Sequence, residues 1–523
     1  MSIRILSLFA AIALAGATLL APPSVASAPH DPGVVRVDTG WVRGQVAEDH
    51  VAFTSIPYAA PPVDERRWRA PSPPDRWSGV RKATSPSPLC PQPGDGEVIG
   101  TEDCLYLDVT VPRGSRPGTR LPVVVWLYGG GFTNGGTRAY GAARLATEGQ
   151  VIVVAPNYRL GALGFLSSPA LDSTGGNYGL SDQQAALRWV QRNASRFGGD
   201  PHNVTLAGQS AGARAVCAQL ASPRARQLFD RAILQSGACD TELPGRTQAE
   251  RWAAQATSDL GCASAADVAG CLRGLPAAEL VGALRGVGFE KVTARVKDRP
   301  WGPVAGTSVL PRQPGDAVLE GTAASVPLLI GGTRDEMRSF VAGYTPDLTE
   351  DGYEAALTDA FGDRADEVLA EYPVSGYASP PLALATVLGD WGGSIGTCPA
   401  LRTADGASAH QPVYAYEFTE ATDTPYNGVP LGSFHGLDLP YLWDLSLDQN
   451  PYPDLTREQE QLSATMIDYW AAFARTGDPN GPGRPHWPEY APGSTVVELS
   501  TTGIAPTPSA GDHHCDFWAG LPR

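Results

Sequence analysis

The chain is predicted to fold as an α/β protein, with a mostly parallel central sheet, helices on both faces and large insertions. Two observations carry that expectation. Apolar, β-rich runs recur along the 523 residues and alternate with segments of helical periodicity. Several of those runs are continuously apolar, as strands buried on both faces of a parallel sheet are. The composition, 42% hydrophobic and 18% charged, is that of a globular protein. No stretch has the make-up of an interdomain linker, so residues 29–523 are expected to form one domain.

The amino terminus is set apart. Arg4 precedes an apolar run from Ile5 to Leu20, followed by Pro22-Pro23 and then Ala26-Ser27-Ala28. This is the charged, apolar and small-residue pattern of a secretory signal peptide, with cleavage expected near Ala28. The run is shorter than the ~20 residues that span a bilayer, and no later stretch is longer and as apolar. The sequence therefore predicts export without a stable membrane anchor. The formal net charge of −16 repels phosphate backbones, which excludes nucleic acid as the main partner. Eight cysteines in an exported chain read as a disulfide set, with the pairing left open.

The elements follow in order. Residues 34–55 read as antiparallel edge strands around a glycine turn. The Pro- and Ser-rich segment 71–100 reads as a surface loop. Buried strands are predicted at Val123–Tyr128, Val151–Ala155, Val204–Ala207, Ala232–Gln235, Val326–Ile330 and Val413–Phe418. Helices are predicted over Ser181–Arg196, Ser210–Ala221 and Thr456–Arg475. In the last, Leu462, Met466, Tyr469, Trp470 and Phe473 form one apolar face, which is core rather than a ligand box.

The chemistry begins at Gly208-Gln209-Ser210-Ala211-Gly212. A G-x-S-x-G pattern means little without its surroundings, and Gly392-Gly393-Ser394-Ile395-Gly396 matches it too. Ser210 follows a strand and opens a helix, the strand–turn–helix that exposes a nucleophilic serine. Ser394 has no strand entering it. A serine hydroxyl needs a base to take its proton and donors to hold the oxyanion that forms. The strand ending at Tyr128 runs into Gly129-Gly130-Gly131-Phe132, where missing side chains let the Gly130 and Gly131 N–H groups approach a carbonyl. Ala211 supplies a third N–H.

These residues, in this order, resemble the type-B carboxylesterase family, the α/β-hydrolase branch that includes cholinesterases and fungal lipases. The resemblance starts at Pro57-Tyr58-Ala59-Ala60-Pro61-Pro62-Val63. It continues through Glu102-Asp103-Cys104-Leu105-Tyr106-Leu107-Asp108-Val109, the glycine run, Asp182-Gln183, Phe197-Gly198-Gly199-Asp200-Pro201 and the serine motif, to Cys515-Asp516-Phe517-Trp518. It implies an α/β-hydrolase fold and a serine hydrolase that needs no metal or other cofactor and cleaves small-molecule carboxylic esters through an acyl-enzyme. It also implies the rest of a triad. Glu336, in Gly331-Gly332-Thr333-Arg334-Asp335-Glu336, is the acid, with Asp335 as its neighbouring rival. His435, in Gly432-Ser433-Phe434-His435-Gly436-Leu437-Asp438-Leu439-Pro440-Tyr441, is the base. The order serine, acid, histidine is that of α/β-hydrolases.

The same resemblance implies disulfides Cys90–Cys104, Cys262–Cys271 and Cys398–Cys515, leaving Cys217 and Cys239 as the remaining pair. A metal reading of His513-His514-Cys515 competes with the last implied bridge. In cholinesterases the loop closed by the first bridge carries a choline-binding tryptophan, whereas Pro91–Asp103 here holds no aromatic residue, so choline esters are not expected. Departures from the family pattern are Gln209 for the usual glutamate, Asp108 for asparagine, Ser55 for glycine, and Pro303-Val304-Ala305-Gly306 without its acid. Two alternatives accompany the esterase reading. One is the same triad acting on amides, carbamates or lactones, and the other is a non-catalytic, cholinesterase-like binding protein. Acyl chain length, the choice between lipase and esterase, and the oligomeric state are left open by the sequence.

Overall fold

Strands of strongly β-branched composition assemble into one 11-stranded sheet in the computed structural model, which describes residue 31 and residues 33–171, 175–288, 290–445 and 454–521. The leader pattern up to Ala28 lies outside the described residues. In chain order the strands are β1 (Gln45–Val46), β2 (His50–Pro57), β3 (Tyr106–Pro112), β4 (Leu121–Leu127), β5 (Ile152–Pro156) and β6 (Gly199–Gln209). They continue with β7 (Arg231–Gln235), β8 (Leu328–Thr333), β9 (Val413–Phe418), β10 (Val496–Ser500) and β11 (Gly503–Thr507). Their order across the sheet is β11-β10-β9-β8-β7-β6-β4-β5-β3-β2-β1. From β5 to β10 every neighbouring pair is parallel, and antiparallel strands close both edges.

The side-chain alternation of β4 shows why its sequence is continuously apolar. Val123, Val125 and Leu127 enter one core while Val124 and Trp126 enter the other. The first core is covered by α1 (Tyr178–Asn193) and α2 (Ala211–Ala221). A third apolar cluster forms around α3 (Pro380–Trp391) and the helices before it. The second core is covered by α4 (Arg457–Thr476), whose Leu462, Met466, Tyr469, Trp470 and Phe473 are all buried. Thr456 caps α4 in a reciprocal box with Gln459, and Gly477 at φ 82° ends it.

Two sequence readings are adjusted. Val34–Val37 and Gly40–Arg43 do pair antiparallel, but in a small separate sheet with Val80–Lys82. The segment 71–100 is not all loop, because Gln92–Pro93 and Val98–Ile99 form a short hairpin beside the bridged Cys90. The chain passes from β4 to β5 on one side and then returns to place β6 on the other side of β4. That reversal opens a crevice at the carboxyl ends of β4 and β6, where a parallel sheet presents its ligand site.

Candidate active site

Ser210 stands at the end of β6 with φ 57° and ψ −121°. A non-glycine residue is held in that region only when its surroundings fix it. Ser210 N–H donates to Gln235 O of β7 at 2.9 Å, which anchors the turn to the neighbouring strand. The flanking glycines are steric necessities. A Cβ on Gly212 would lie 1.9 Å from Leu127 O, and one on Gly208 would lie 2.5 Å from the Gly212 carbonyl carbon. The helix α2 then starts directly at Ala211, so its amino-terminal N–H groups face the space beside the serine.

The glycine run leaves the neighbouring strand β4. Gly130 at φ 109° and Gly131 at φ 62° turn the chain sharply, and Phe132 follows at φ 63°. A Cβ on Gly130 would meet Asn134 O at 2.2 Å, so only glycine fits. Thr133 N–H and Asn134 N–H both donate to Gly130 O at 3.1 Å, closing the loop upon itself.

The acid and the histidine arrive on two loops that are stitched together. Asp335 N–H donates to Ser433 O, and Ser433 N–H donates to the Asp335 carboxylate, each at 2.8 Å. The Asp335 carboxylate is paired with Arg338 at 2.7 Å and so faces away from the imidazole. Glu336 instead reaches His435, with Oε2 to Nδ1 at 2.5 Å, and its other oxygen accepts Thr333 N–H at 2.9 Å. Glu336 is only 2% exposed. The carboxylate can only accept, so Nδ1 carries the proton and Nε2 of the neutral ring is an acceptor. That Nε2 takes a hydrogen bond from the Gln209 side-chain amide at 3.1 Å. In this structure the imidazole therefore points at the residue next to Ser210. The ring of Phe340 packs against it at 5.3 Å between centroids.

A second buried carboxylate lies behind the pair. Asp438 accepts from Gln235 Nε2 at 2.8 Å and from the Tyr416 hydroxyl at 3.4 Å. Burial, reinforced by the charge of Glu336, pushes its pKa up to about 6. Asp438 lies three residues after His435 in the same loop motif, and the sequence reading gave it no role, although an acid inside the apolar run Leu437–Tyr441 is a signal of a buried carboxylate. Ser394, the other motif serine, lies in the loop after α3. Among the described residues no cluster of three or more His, Cys, Asp or Glu side chains is arranged to hold a metal ion. His513 and His514 are engaged by carboxylates, and Cys515 is bonded to Cys398.

The sequence profile of the Carboxylesterase family matches residues 31–518. The chain belongs to the carboxylesterase family. It is similar to the para-nitrobenzyl esterase of Bacillus subtilis (strain 168), 36% identical over 476 residues that cover 87% of this chain and 92% of that protein. It is also similar to the acetylcholinesterase of Bungarus fasciatus, 34% identical over 549 residues, 96% of this chain and 88% of that one. A solved "thermophylic PNB esterase" superposes with a TM-score of 0.79 at 34% identity, covering 92% of this chain and 99% of its own. The protein is a carboxylic ester hydrolase with the α/β-hydrolase fold.

Each departure of this carboxylesterase from the family pattern has a local structure. Ser55 sits at φ 57°, where glycine would be relaxed, and its N–H donates to Asp108 at 3.0 Å. Asp108, half-buried and raised in pKa by desolvation, also accepts from Ser87 at 2.6 Å and from Thr137 beyond the glycine loop at 2.8 Å. At the acid-free segment Pro303–Gly306, Asn177 holds the backbone by donating to Val304 O at 2.8 Å and accepting its N–H at 2.9 Å. The four disulfides are Cys90–Cys104, Cys217–Cys239, Cys262–Cys271 and Cys398–Cys515. Among the described residues no helix is long and apolar enough to cross a membrane.

Proposed function

We propose that this carboxylesterase hydrolyses its esters through a Ser210–His435–Glu336 triad. His435 removes the proton of Ser210, which attacks the ester carbonyl. The oxyanion that forms is held by the N–H groups of Gly130, Gly131 and Ala211. Glu336 keeps the imidazole in its Nδ1–H tautomer and stabilises the imidazolium, and water then hydrolyses the acyl-enzyme. The observation that carries this reading is the 2.5 Å contact between Glu336 and His435 at the strand ends beside the strained Ser210. Proton transfer requires Nε2 to exchange the Gln209 amide for the Ser210 hydroxyl, a swing between adjacent residues. Catalytic hydrogen bonds commonly tighten only when substrate is bound.

The substrates on this reading are short- to medium-chain acyl or aryl esters. The loop between Cys90 and Cys104 has no aromatic side chain to bind a quaternary ammonium. Residues 29–523 work as one catalytic domain. The leader pattern and the four disulfides support function outside the cytoplasm. Ser210→Ala should lower kcat for p-nitrophenyl butyrate by roughly 10^4- to 10^6-fold while the folded protein persists. An inactive Ser394→Ala beside an active Ser210→Ala would sink the assignment.

A further inference from the structure

Gln209 is the last residue of β6 and stands where the family usually has a glutamate. Its side chain is buried beside the nucleophile. The amide oxygen lies against the glycine loop, 2.7 Å from where a Cβ on Gly129 would be, and the NH2 end meets His435 Nε2 at 3.1 Å. That orientation is the one the chemistry requires. Glu336 fixes the imidazole proton on Nδ1, so Nε2 is an acceptor and only the NH2 end can serve it. His435 is thus held at both ring nitrogens, by a carboxylate at one and by a neutral amide at the other.

The same chain shows what two carboxylates do to such a ring. His513 is buried between Asp390 at Nδ1 and Glu417 at Nε2, each at 2.5 Å. Those bonds outweigh burial and raise its pKa to about 10. An imidazole clamped in that way keeps its proton through neutrality and is no base there. The other charged and titratable groups near His435 are engaged elsewhere. Asp438, three residues on in the same loop, accepts from Gln235 of β7 and the Tyr416 hydroxyl of β9. Asp335 is paired with Arg338, and the Tyr140 hydroxyl is engaged by the Gly129 backbone. Trp470 of α4 donates to Gln235, and Phe340 covers the imidazole with an apolar ring. The side chain at position 209 therefore decides what charge Nε2 meets.

We propose that Gln209 is a positioning residue that holds His435 through Nε2 without adding a charge, and so lets this carboxylesterase work at a lower pH than a glutamate at the same place would allow. This rests on His435 being the base of the triad. The amide steadies the ring in the free enzyme and gives up Nε2 to the Ser210 hydroxyl without leaving an ion unpaired. A carboxylate in its place would favour the imidazolium before any serine proton has moved.

The test is the pH dependence of kcat/KM for p-nitrophenyl butyrate, read at the isosbestic wavelength of the released nitrophenol, because that parameter reports the groups of the free enzyme. Gln209→Glu should move the acid limb upward by roughly one to two pH units, a loss of roughly 10- to 100-fold at pH 6 that is recovered in alkali. Gln209→Met, which removes the hydrogen bond and adds no charge, should lower kcat/KM by roughly 2- to 10-fold at every pH and leave the limb in place. A merely structural glutamine would lose rate in both variants with neither limb moving, so an unmoved limb in Gln209→Glu overturns the proposal. A limb that moves as far in Gln209→Met overturns it too, and so does a Met variant that loses no rate. The Met variant keeps the test open if the buried glutamate prevents folding. A profile of the unmodified enzyme that is flat down to about pH 4.5 would remove His435 as base, and the triad reading with it. A limb that is present but insensitive to Gln209→Glu refutes only the role of Gln209.

Discussion

Ser210 is held at φ 57°, a backbone conformation that costs about 1–3 kcal/mol and is retained where it aims a reactive group. The partners that fix it are specific: the Gln235 carbonyl above it and the glycines that let α2 pack against Leu127. The roles of the two adjacent acids are separated in the same way. Asp335 is tied to Arg338 and the Ser433 N–H, and Glu336 is tied to His435. Glu336→Gln should therefore lower kcat by a factor on the order of 10^4, because an amide no longer enforces the Nδ1–H tautomer. Steady-state rates on a p-nitrophenyl ester would decide it, and a fully active Glu336→Gln would remove Glu336 from the triad. Ser210 could be singled out from its strand–turn–helix setting, whereas Glu336 and His435, the proposed acid and base, were implied by the family resemblance. The Gln209 contact to His435 and the burial of Asp438 could not be read in either way, because each depends on chains that meet only in three dimensions. Their faint signal was a polar residue inside an apolar run.

At the scale of elements, the strands most legible in the sequence were those buried on both faces, β4 to β9, several of whose apolar runs are continuous. The strands not singled out, β3, β10 and β11, lie towards the sheet edges, where Thr110, Glu498 and Pro506 interrupt the pattern. Motif residues outside the proposed triad turn out to hold elements together. Glu102 is paired with Arg67, and Asp182 with Arg159 at 2.7 Å. The disulfides differ in what they tie. Cys398–Cys515 spans a sequence separation of 117, from the helix after α3 to the carboxyl-terminal segment, whereas Cys262–Cys271 spans only 9. In the chain-entropy model a loop of about 100 residues is worth up to about 4.7 kcal/mol, and short loops are worth less. Cys398→Ser should thus lower Tm more than Cys262→Ser, read by thermal unfolding of the non-reduced protein. The reverse ranking would contradict the model for this chain. Thr456→Ala, which removes the capping box of α4, should cost about 1 kcal/mol.

For the molecule as a whole, the carboxyl-terminal segment is closed onto the body by a buried charge cluster. His513, 5% exposed, bonds Asp390 of α3 through Nδ1 and Glu417 of β9 through Nε2, each at 2.5 Å. Arg334 pairs with Glu417 at 3.2 Å and with Asp512 at 3.1 Å, and the Tyr372 hydroxyl donates to Asp390 at 2.9 Å. Burial alone would push the His513 pKa down, but the hydrogen bonds to the two carboxylates outweigh it and raise it to about 10. The folded protein therefore binds this proton more tightly than the unfolded chain does. Its stabilisation is complete below the ordinary value of 6.5 and is lost as pH rises through about 10. Glu417 works at the other end. Burial raises its pKa, but the bond and charge of His513, the charge of Arg334 and the bond from Ser509 together lower it by more, and its contribution fades as pH falls below the ordinary 4.5. Asp390 has the opposite sign, since burial keeps its pKa raised and its ionisation costs stability above 3.8. Removing the cation leaves two buried carboxylates facing each other, a loss of about 3–5 kcal/mol for a broken buried pair. His513→Gln should therefore lower Tm sharply at pH 6, and the gap to the unmodified protein should narrow steadily towards pH 10. A gap that stays constant across that range, or widens with pH, would mean that His513 is held neutral and that the clasp is not ionic.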